Sequence, residues 1–445
     1  MPNSSFYAAL ARSISIGEAA LEPIITRASR TLGRNWRWLR PLTRRYLKAF
    51  GHEARHGSSD VVSFLKEDVG LKAALHRHGD RIRIAEWLRE PAMMNPTGAA
   101  RSWNIPTIES VGSLAEWLQL SPTELAWFAD PKRLAAKLEP EKVECALSHY
   151  HYRIVGKEDG DIRLIEAPKK RLKDLQRKIL VEILENIPVH PAAHGFRKGR
   201  SIKTFAAPHV GQRVVVRMDL QDFFPSVRGA RVRAMFLMAG YPEPVADLLT
   251  GLCTNASPRG LWIAKGADRD SMKMSDVRLT YALRHLPQGA PSSPALANVC
   301  AYRVDTRLTG LAESAGAFYT RYADDLAFSG GEVFARCVER FASQAAAVLL
   351  EEGFTVHHRK TRIMRQGVRQ YLAGLVTNER INVVREDFDR LKATLTNCVR
   401  HGQESQNFEG HRAFRLHLQG RVAFVETVNP AKAARLRRIF EEIRW

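Results

Sequence analysis

The spacing of hydrophobic residues divides the chain into three stretches. Residues 1–140 read as a helical N-terminal extension. Within it, Ser113–Glu116 and Ser121–Glu124 have capping-box spacing, and Pro122 falls where a first helical residue tolerates its missing N–H. The segment SLAEWLQLSPTELAWFAD is therefore predicted to be two short helices, with Leu114, Trp117, Leu118, Leu125, Trp127 and Phe128 as core. Residues 141–375 alternate strand and helix signals. Val214–Val216 is a β-branched run, the pattern of a buried strand, and Phe318–Tyr322 with Leu326–Phe328 frames a hairpin. Residues 376–445 are helical and basic: Phe388, Leu391, Leu395 and Cys398 recur at helical spacing, leaving Arg385, Arg390 and Lys392 on other faces. A further helix from Pro430 carries Arg435, Arg437 and Arg438 as a basic stripe. The pattern as a whole is that of an α+β protein.

Charge narrows the partners. The 445 residues contain 68 Lys and Arg against 47 Asp and Glu, a formal net charge of +21. A chain this basic works beside a polyanion, and nucleic acid is the commonest one; an anionic membrane surface and plain solubility are the alternatives. No apolar run approaches the roughly 18 residues of a membrane helix. The N-terminus lacks a basic start followed by an apolar stretch, so no secretion signal is expected. Five scattered cysteines without a CxxC pair read as reduced thiols, in keeping with a cytoplasmic protein and no membrane partner. Upstream, RTLGRNWRWLRPLTRRYLKAF mixes arginines with Trp36, Trp38 and Tyr46, which suits either RNA contact or a solvated helix with core aromatics.

Candidate chemistry begins at the hairpin tip, where Asp324 and Asp325 sit side by side. Alone, such a pair is ordinary turn chemistry. About a hundred residues earlier, the Val214–Val216 strand delivers Asp219 to its end. Phosphoryl transfer from a nucleoside triphosphate uses two Mg²⁺ ions about 3.5–4 Å apart, held by a few carboxylates and by substrate phosphate. Three aspartates on adjacent strands meet that need.

Tyr322-Ala323-Asp324-Asp325 resembles the YxDD box of reverse transcriptases. Asp219 to Phe224 resembles the first metal motif of that family, and Leu286-Pro287-Gln288-Gly289-Ala290-Pro291-Ser292-Ser293-Pro294 its LPQG…SP box. Order and spacing also match. IRLIEAPKKRLKDLQRKIL is similar to the fingers segment of bacterial retroelement enzymes and HGFRKGRSI to the segment after it. HHRKTRIM resembles the motif with a lysine near the triphosphate, and RQYLAGLVTN the primer grip. With GRVAFVETVNP at the C-terminal side, the style is closest to retron-type reverse transcriptases, and coverage runs from about residue 150 to 425.

The resemblance implies a right-hand polymerase fold, with fingers and an antiparallel palm over 141–375 and a helical thumb over 376–445. It implies that Asp219, Asp324 and Asp325 are the catalytic metal ligands, joined by the carbonyl of Leu220, with two Mg²⁺ (or Mn²⁺ as substitute). Phe224 would lie under the incoming sugar and exclude ribose, Phe223 being core. Gln288 and Gly289 would contact the nucleotide, Arg163 and Lys157 would grip its triphosphate, and Lys360 would protonate the leaving pyrophosphate. Arg197, Arg200, His209, Tyr322, Arg435 and Arg438 would meet nucleic acid. Implied partners are dNTPs, a cognate structured non-coding RNA as template and primer, the RNA–DNA hybrid product, and a separate effector protein in anti-phage defence.

Two segments depart from the retron pattern. Where an Asn-Ala-x-x-His element is usual, this chain has Phe205-Ala206-Ala207-Pro208-His209; where Val-Thr-Gly is usual, it has Leu372-Ala373-Gly374. They keep open another bacterial reverse transcriptase, stand-alone or group II intron-derived; a non-catalytic RNA-binding scaffold is a third reading, against which the intact carboxylates and LPQG box stand. About seventy residues after the palm leave room for a thumb and none for an RNase H or endonuclease region.

Overall fold

The structure is a computed structural model that describes residues 4–15, 19–51, 58–88, 93–143, 145, 147–156, 162–264 and 272–445. The chain divides into two compact units at the step from Met93 to Met94.

The first unit is helical, with helices at Ser4–Ser15, Leu21–Thr31, Leu39–Phe50, Ser58–Glu67 and Val69–His78. Leu10, Ile24, Leu39, Leu42, Val61, Leu65 and Leu71 are buried in one core, which also takes Trp36 and Tyr46. Those two rings therefore serve packing, the second of the two readings left open by the sequence. Asp68 caps the last helix through the Leu71 N–H at 2.6 Å and takes a two-pronged bond from Arg45 at 2.7 and 2.8 Å.

In the second unit, helices Val111–Leu118 and Pro122–Ala129 bury Leu114, Leu118, Leu125 and Phe128 in the same core as Leu175, Ile179 and Leu252. Ser121 and Glu124 form the predicted capping box, with Pro122 in the first turn. The other expected cap is displaced by one turn. Ser110 caps, and Ser113 returns the bond at the third position, so Glu116 is mid-helix. Trp117 is half-buried, donating to Glu182 at 2.8 Å, and Trp127 is exposed.

Strands β1 (Tyr150–Gly156) and β2 (Ile162–Pro168) form an antiparallel ribbon. The central sheet is built on β3 (Val214–Gln221), whose Val214, Val215 and Val216 are fully buried. Strands β4 (Ala317–Tyr322) and β5 (Asp325–Gly330) make the predicted hairpin. β5 pairs with one edge of β3, while β6 (Thr355–Val356) and β7 (Arg362–Arg365) pair with its other edge, all antiparallel. Beyond the sheet, helix Arg385–His401 buries Phe388, Leu391, Leu395 and Cys398, the stripe read from the sequence. It shares a second core with helices Phe414–Val428 and Pro430–Glu441 and with Phe205, Val215 and Ala327 under the sheet.

Candidate active site

The site forms where β3 and β4 end and β5 begins. In the register of β3 and β5, Asp219 stands directly opposite Asp325. Ala323 and Asp324 form the two-residue turn between the paired residues Tyr322 and Asp325, with Ala323 in the left-handed region at φ 56°. The Asp324 carbonyl accepts from the Leu220 N–H at 2.9 Å, which ties the turn to β3. The Asp219 carbonyl accepts from His357 N–H at 2.7 Å, tying on the segment that carries Lys360. A β-branched buried strand thus brings all three predicted carboxylates to one end of the sheet.

Their electrostatics follow from that crowding. Burial, then the charges of Asp325 and Asp219, pushes the Asp324 carboxyl up to about 6. Burial also raises Asp325, against the pull of Arg217, which approaches it at 2.8 Å. Lys360 Nζ lies 3.9 Å from Asp219 Oδ1. Among the described residues no three His, Cys, Asp or Glu side chains close into a ready-made cage. The carboxylates are neighbours whose mutual repulsion is relieved by adjacent cations. Hard oxygen donors, closely spaced and partly desolvated, are the set that a hard divalent cation takes, so these residues fit Mg²⁺.

A pH effect follows. A metal ion bound through Asp324 would have to displace its proton, which is held up to about 6. The Mg²⁺ concentration giving half-maximal primer extension is expected to rise about tenfold per pH unit below that value. Magnesium titrations of activity from pH 5 to 8 check it; a flat requirement would remove Asp324 from the ligand set.

Around the carboxylates, Arg163 is exposed on β2, and its charge reaches Asp324. Lys157 lies outside the described residues. Gln288 lends its carbonyl to the Glu166 N–H at 2.8 Å, and Gly289 has φ 129°. A Cβ at Gly289 would lie 3.0 Å from the Glu166 carbonyl oxygen, so the close approach that needs glycine is to β2. Phe223 and Phe224 do not continue β3, as an alternating strand would have them. Asp222, left-handed at φ 46°, ends the strand, and a short helix Phe223–Ser226 begins. Phe223 is nevertheless the buried ring and Phe224 the part-exposed one.

The residues expected to meet nucleic acid separate. Arg200, Arg435 and Arg438 are exposed, while Arg197 and Tyr322 are half-buried. His209 is not available. It is fully buried, with ring nitrogens 2.6 Å from Ser329 Oγ and 2.7 Å from Thr320 Oγ1, and burial drives it down to about 3, hence neutral. Phe205, the residue that departs from the retron element nearby, is fully buried between His209 and Tyr322.

Two buried networks escaped sequence reasoning. Arg321 and Asp305 are paired in full burial, through bonds of 2.7 and 2.8 Å. Arg321 also donates to the Ala323 carbonyl in the Ala323–Asp324 turn and to Asn298, whose amide holds the Gly195 carbonyl. On the β2 side, Glu166 takes bonds from Asn255 at 2.8 Å and Ser257 at 3.2 Å and faces His285 Nε2 at 2.7 Å. The other His285 nitrogen donates to the Leu283 carbonyl at 2.7 Å, since a carbonyl only accepts. This network fastens β2 beside Gln288. Each member alone looks like an ordinary surface polar or charged residue in the sequence.

Comparison with known proteins agrees with this geometry. The family described as reverse transcriptase (RNA-dependent DNA polymerase) matches residues 155–390. The retron Mx65 reverse transcriptase of Myxococcus xanthus is 45% identical over 297 residues, 65% of this chain and 64% of its own length. The retron Mx162 enzyme of the same organism is 37% identical, over 75% of this chain and 67% of its own. The retron Ec86 enzyme of Escherichia coli is 30% identical, over 64% and 79%. The chain thus spans about two thirds of the two Myxococcus relatives. With the family match running through Asp219, Gln288 and the Asp324–Asp325 turn, the chain belongs to the reverse transcriptases, and to their retron type.

Proposed function

We propose that this protein is an RNA-directed DNA polymerase that copies a cognate structured non-coding RNA into single-stranded DNA. The observation that carries the reading is the pairing of Asp219 with Asp325 beside the Asp324 turn. Asp219 and Asp324 are the residues to hold both of two Mg²⁺ ions, with Asp325 and the Leu220 carbonyl completing the set and Mn²⁺ able to substitute. Bound there, two such ions supply charge neutralisation at the attacking hydroxyl and at the leaving pyrophosphate.

The chain's own residues do the rest. Arg163, with Lys157, holds the triphosphate; Lys360, near Asp219, is the proton donor to pyrophosphate. Gln288 and Gly289 bound the nucleotide, and the Phe224 ring faces the sugar, where it excludes a 2′-hydroxyl. Tyr322, Arg197 and Arg200 line the template–primer side, and Arg435 and Arg438 meet backbone phosphate without reading sequence. In this reading 141–375 is fingers and palm, 376–445 the thumb. The RNA is both template and primer, a guanosine 2′-hydroxyl starts synthesis, and the branched product serves anti-phage defence with a separate effector.

The test is to express the gene with its flanking DNA, extract bound nucleic acid and treat it with RNase and DNase separately, beside an Asp324→Asn, Asp325→Asn variant. An RNA-linked DNA species absent from the variant is the expected result. If none appears, yet purified protein extends a DNA primer on RNA with Mg²⁺, the retron product is wrong and another bacterial reverse transcriptase role takes its place. Loss of both activities in the unmodified protein leaves the scaffold reading.

A further inference from the structure

Phe196 has the least comfortable backbone for its size at the site. It adopts φ 56°, a left-handed conformation that bulky side chains avoid, yet its side chain is not buried in compensation: the residue is 52% exposed. Such strain persists only where the surroundings over-determine it, and it gathers at functional sites. Here the loop is held from several directions. Ala193 bridges to Arg321, and His194 N–H donates to the Arg321 carbonyl at 2.7 Å. The Gly195 carbonyl takes the Asn298 amide at 2.8 Å. A Cβ on Gly195 would lie 2.6 Å from Ala323 N, so this loop backbone rests on the catalytic turn. After Phe196, Arg197 donates to the His190 carbonyl and accepts from the Arg200 N–H.

The Phe196 ring has two aromatic neighbours. Its centroid is 6.0 Å from that of Phe224, at 51°, and 6.5 Å from that of Tyr322, at 36°. Phe224 in turn has Phe223 at 5.6 Å, and Phe223 packs on Phe354 at 5.8 Å. The part-exposed Phe224 is thus flanked by a core ring and by Phe196. A ring that excludes a hydroxyl must resist being pushed aside, because a side chain that can swing away accommodates the larger sugar.

We propose that Phe196 is a positioning residue for sugar selection, holding the Phe224 ring where it clashes with a ribose 2′-hydroxyl. This rests on Phe224 facing the sugar, and the experiment separates the two ideas. Single-nucleotide incorporation of dNTP and rNTP is measured for wild type, Phe196→Ala, Phe196→Gly, Phe196→Leu, Phe224→Ala and the Phe196→Ala, Phe224→Ala double variant. Losing one aromatic contact is expected to lower the dNTP preference in kcat/KM about three- to tenfold, mainly through a lower KM for rNTP. Glycine relieves the left-handed backbone while alanine does not, so an equal effect in both assigns it to the ring. Leucine restores part of the preference, and Phe196→Ala adds nothing once Phe224 is removed. If Phe224→Ala loses selectivity and Phe196→Ala keeps it, the Phe196 role is wrong and the Phe224 reading stands. If Phe224→Ala keeps it, both are wrong. A raised KM for template–primer with unchanged selectivity makes Phe196 a nucleic-acid contact and overturns the proposal.

Discussion

Replacing Asp324 by Asn is expected to reduce primer extension on an RNA template about a thousandfold or more, the scale of losing a charge that acts at the transition state. The same substitution is expected to stabilise the metal-free fold. The Asp324 carboxyl is raised from 3.8 to about 6, chiefly by burial. A carboxylate with a raised folded value destabilises the fold when ionised. That penalty is absent below about pH 4, grows through pH 4–6 and is complete above pH 6. At pH 8 without metal, the neutral amide removes a penalty of up to about 3 kcal/mol and should raise the thermal midpoint by a few degrees. If Asp324 is a ligand, added Mg²⁺ is expected to reverse the order, because wild type then gains ligand-linked stability that the variant lacks. Asp325→Asn behaves differently: it strands Arg217, its partner at 2.8 Å, and should not stabilise in either buffer. Melting curves with and without Mg²⁺, run beside single-turnover extension, check both halves. An Asp324→Asn protein that melts lower than wild type in chelator would falsify the picture of three crowded carboxylates awaiting a cation.

What could be read from the chain alone follows from the range of the forces involved. Val214–Val216 announced a buried strand because β-branched residues at consecutive positions have few other uses, and the strand is fully buried. The Asp324–Asp325 hairpin and the Phe388, Leu391, Leu395, Cys398 stripe were also local patterns. Errors arose where local chemistry has near-equivalents. Ser113 with Glu116 has the spacing of a cap, but Ser110 competes one turn earlier and Ser113 itself returns the bond. Nothing local announces the left-handed Asp222 that ends β3 and starts a short helix at Phe223. His209 looked like a contact from its place in a motif. Its burial comes from Ser329 and Thr320, more than a hundred residues on. Arg321 had no signal at all. An arginine before an aspartate pair reads as a phosphate ligand or a solvated charge, and its partner Asp305 lies on another element.

That pair gives the largest expected effect on stability. Arg321 and Asp305 are both fully buried, and the guanidinium meets the carboxylate through two bonds. Burial works against the charge on Arg321, and Asp305 more than offsets it, with Tyr319 adding a bond to the same carboxylate. Removing one partner leaves the other charge buried and uncompensated. Asp305→Ala is therefore expected to cost about 3–5 kcal/mol in chemical denaturation. Replacing both at once, as Asp305→Leu with Arg321→Met, should cost less than the single change, because no charge is stranded. The double variant also separates folding from function. Arg321 holds the Ala323 carbonyl in the left-handed turn, and through Asn298 it holds the Gly195 loop resting on that turn. A methionine at 321 can fill the space but cannot donate to that carbonyl. The double variant should thus recover most of the lost stability while extending primers at least about tenfold more slowly, since catalytic geometry tolerates little displacement. Full recovery of both would reduce Arg321 to a packing role; recovery of stability alone would make a buried ion pair the brace of the catalytic turn.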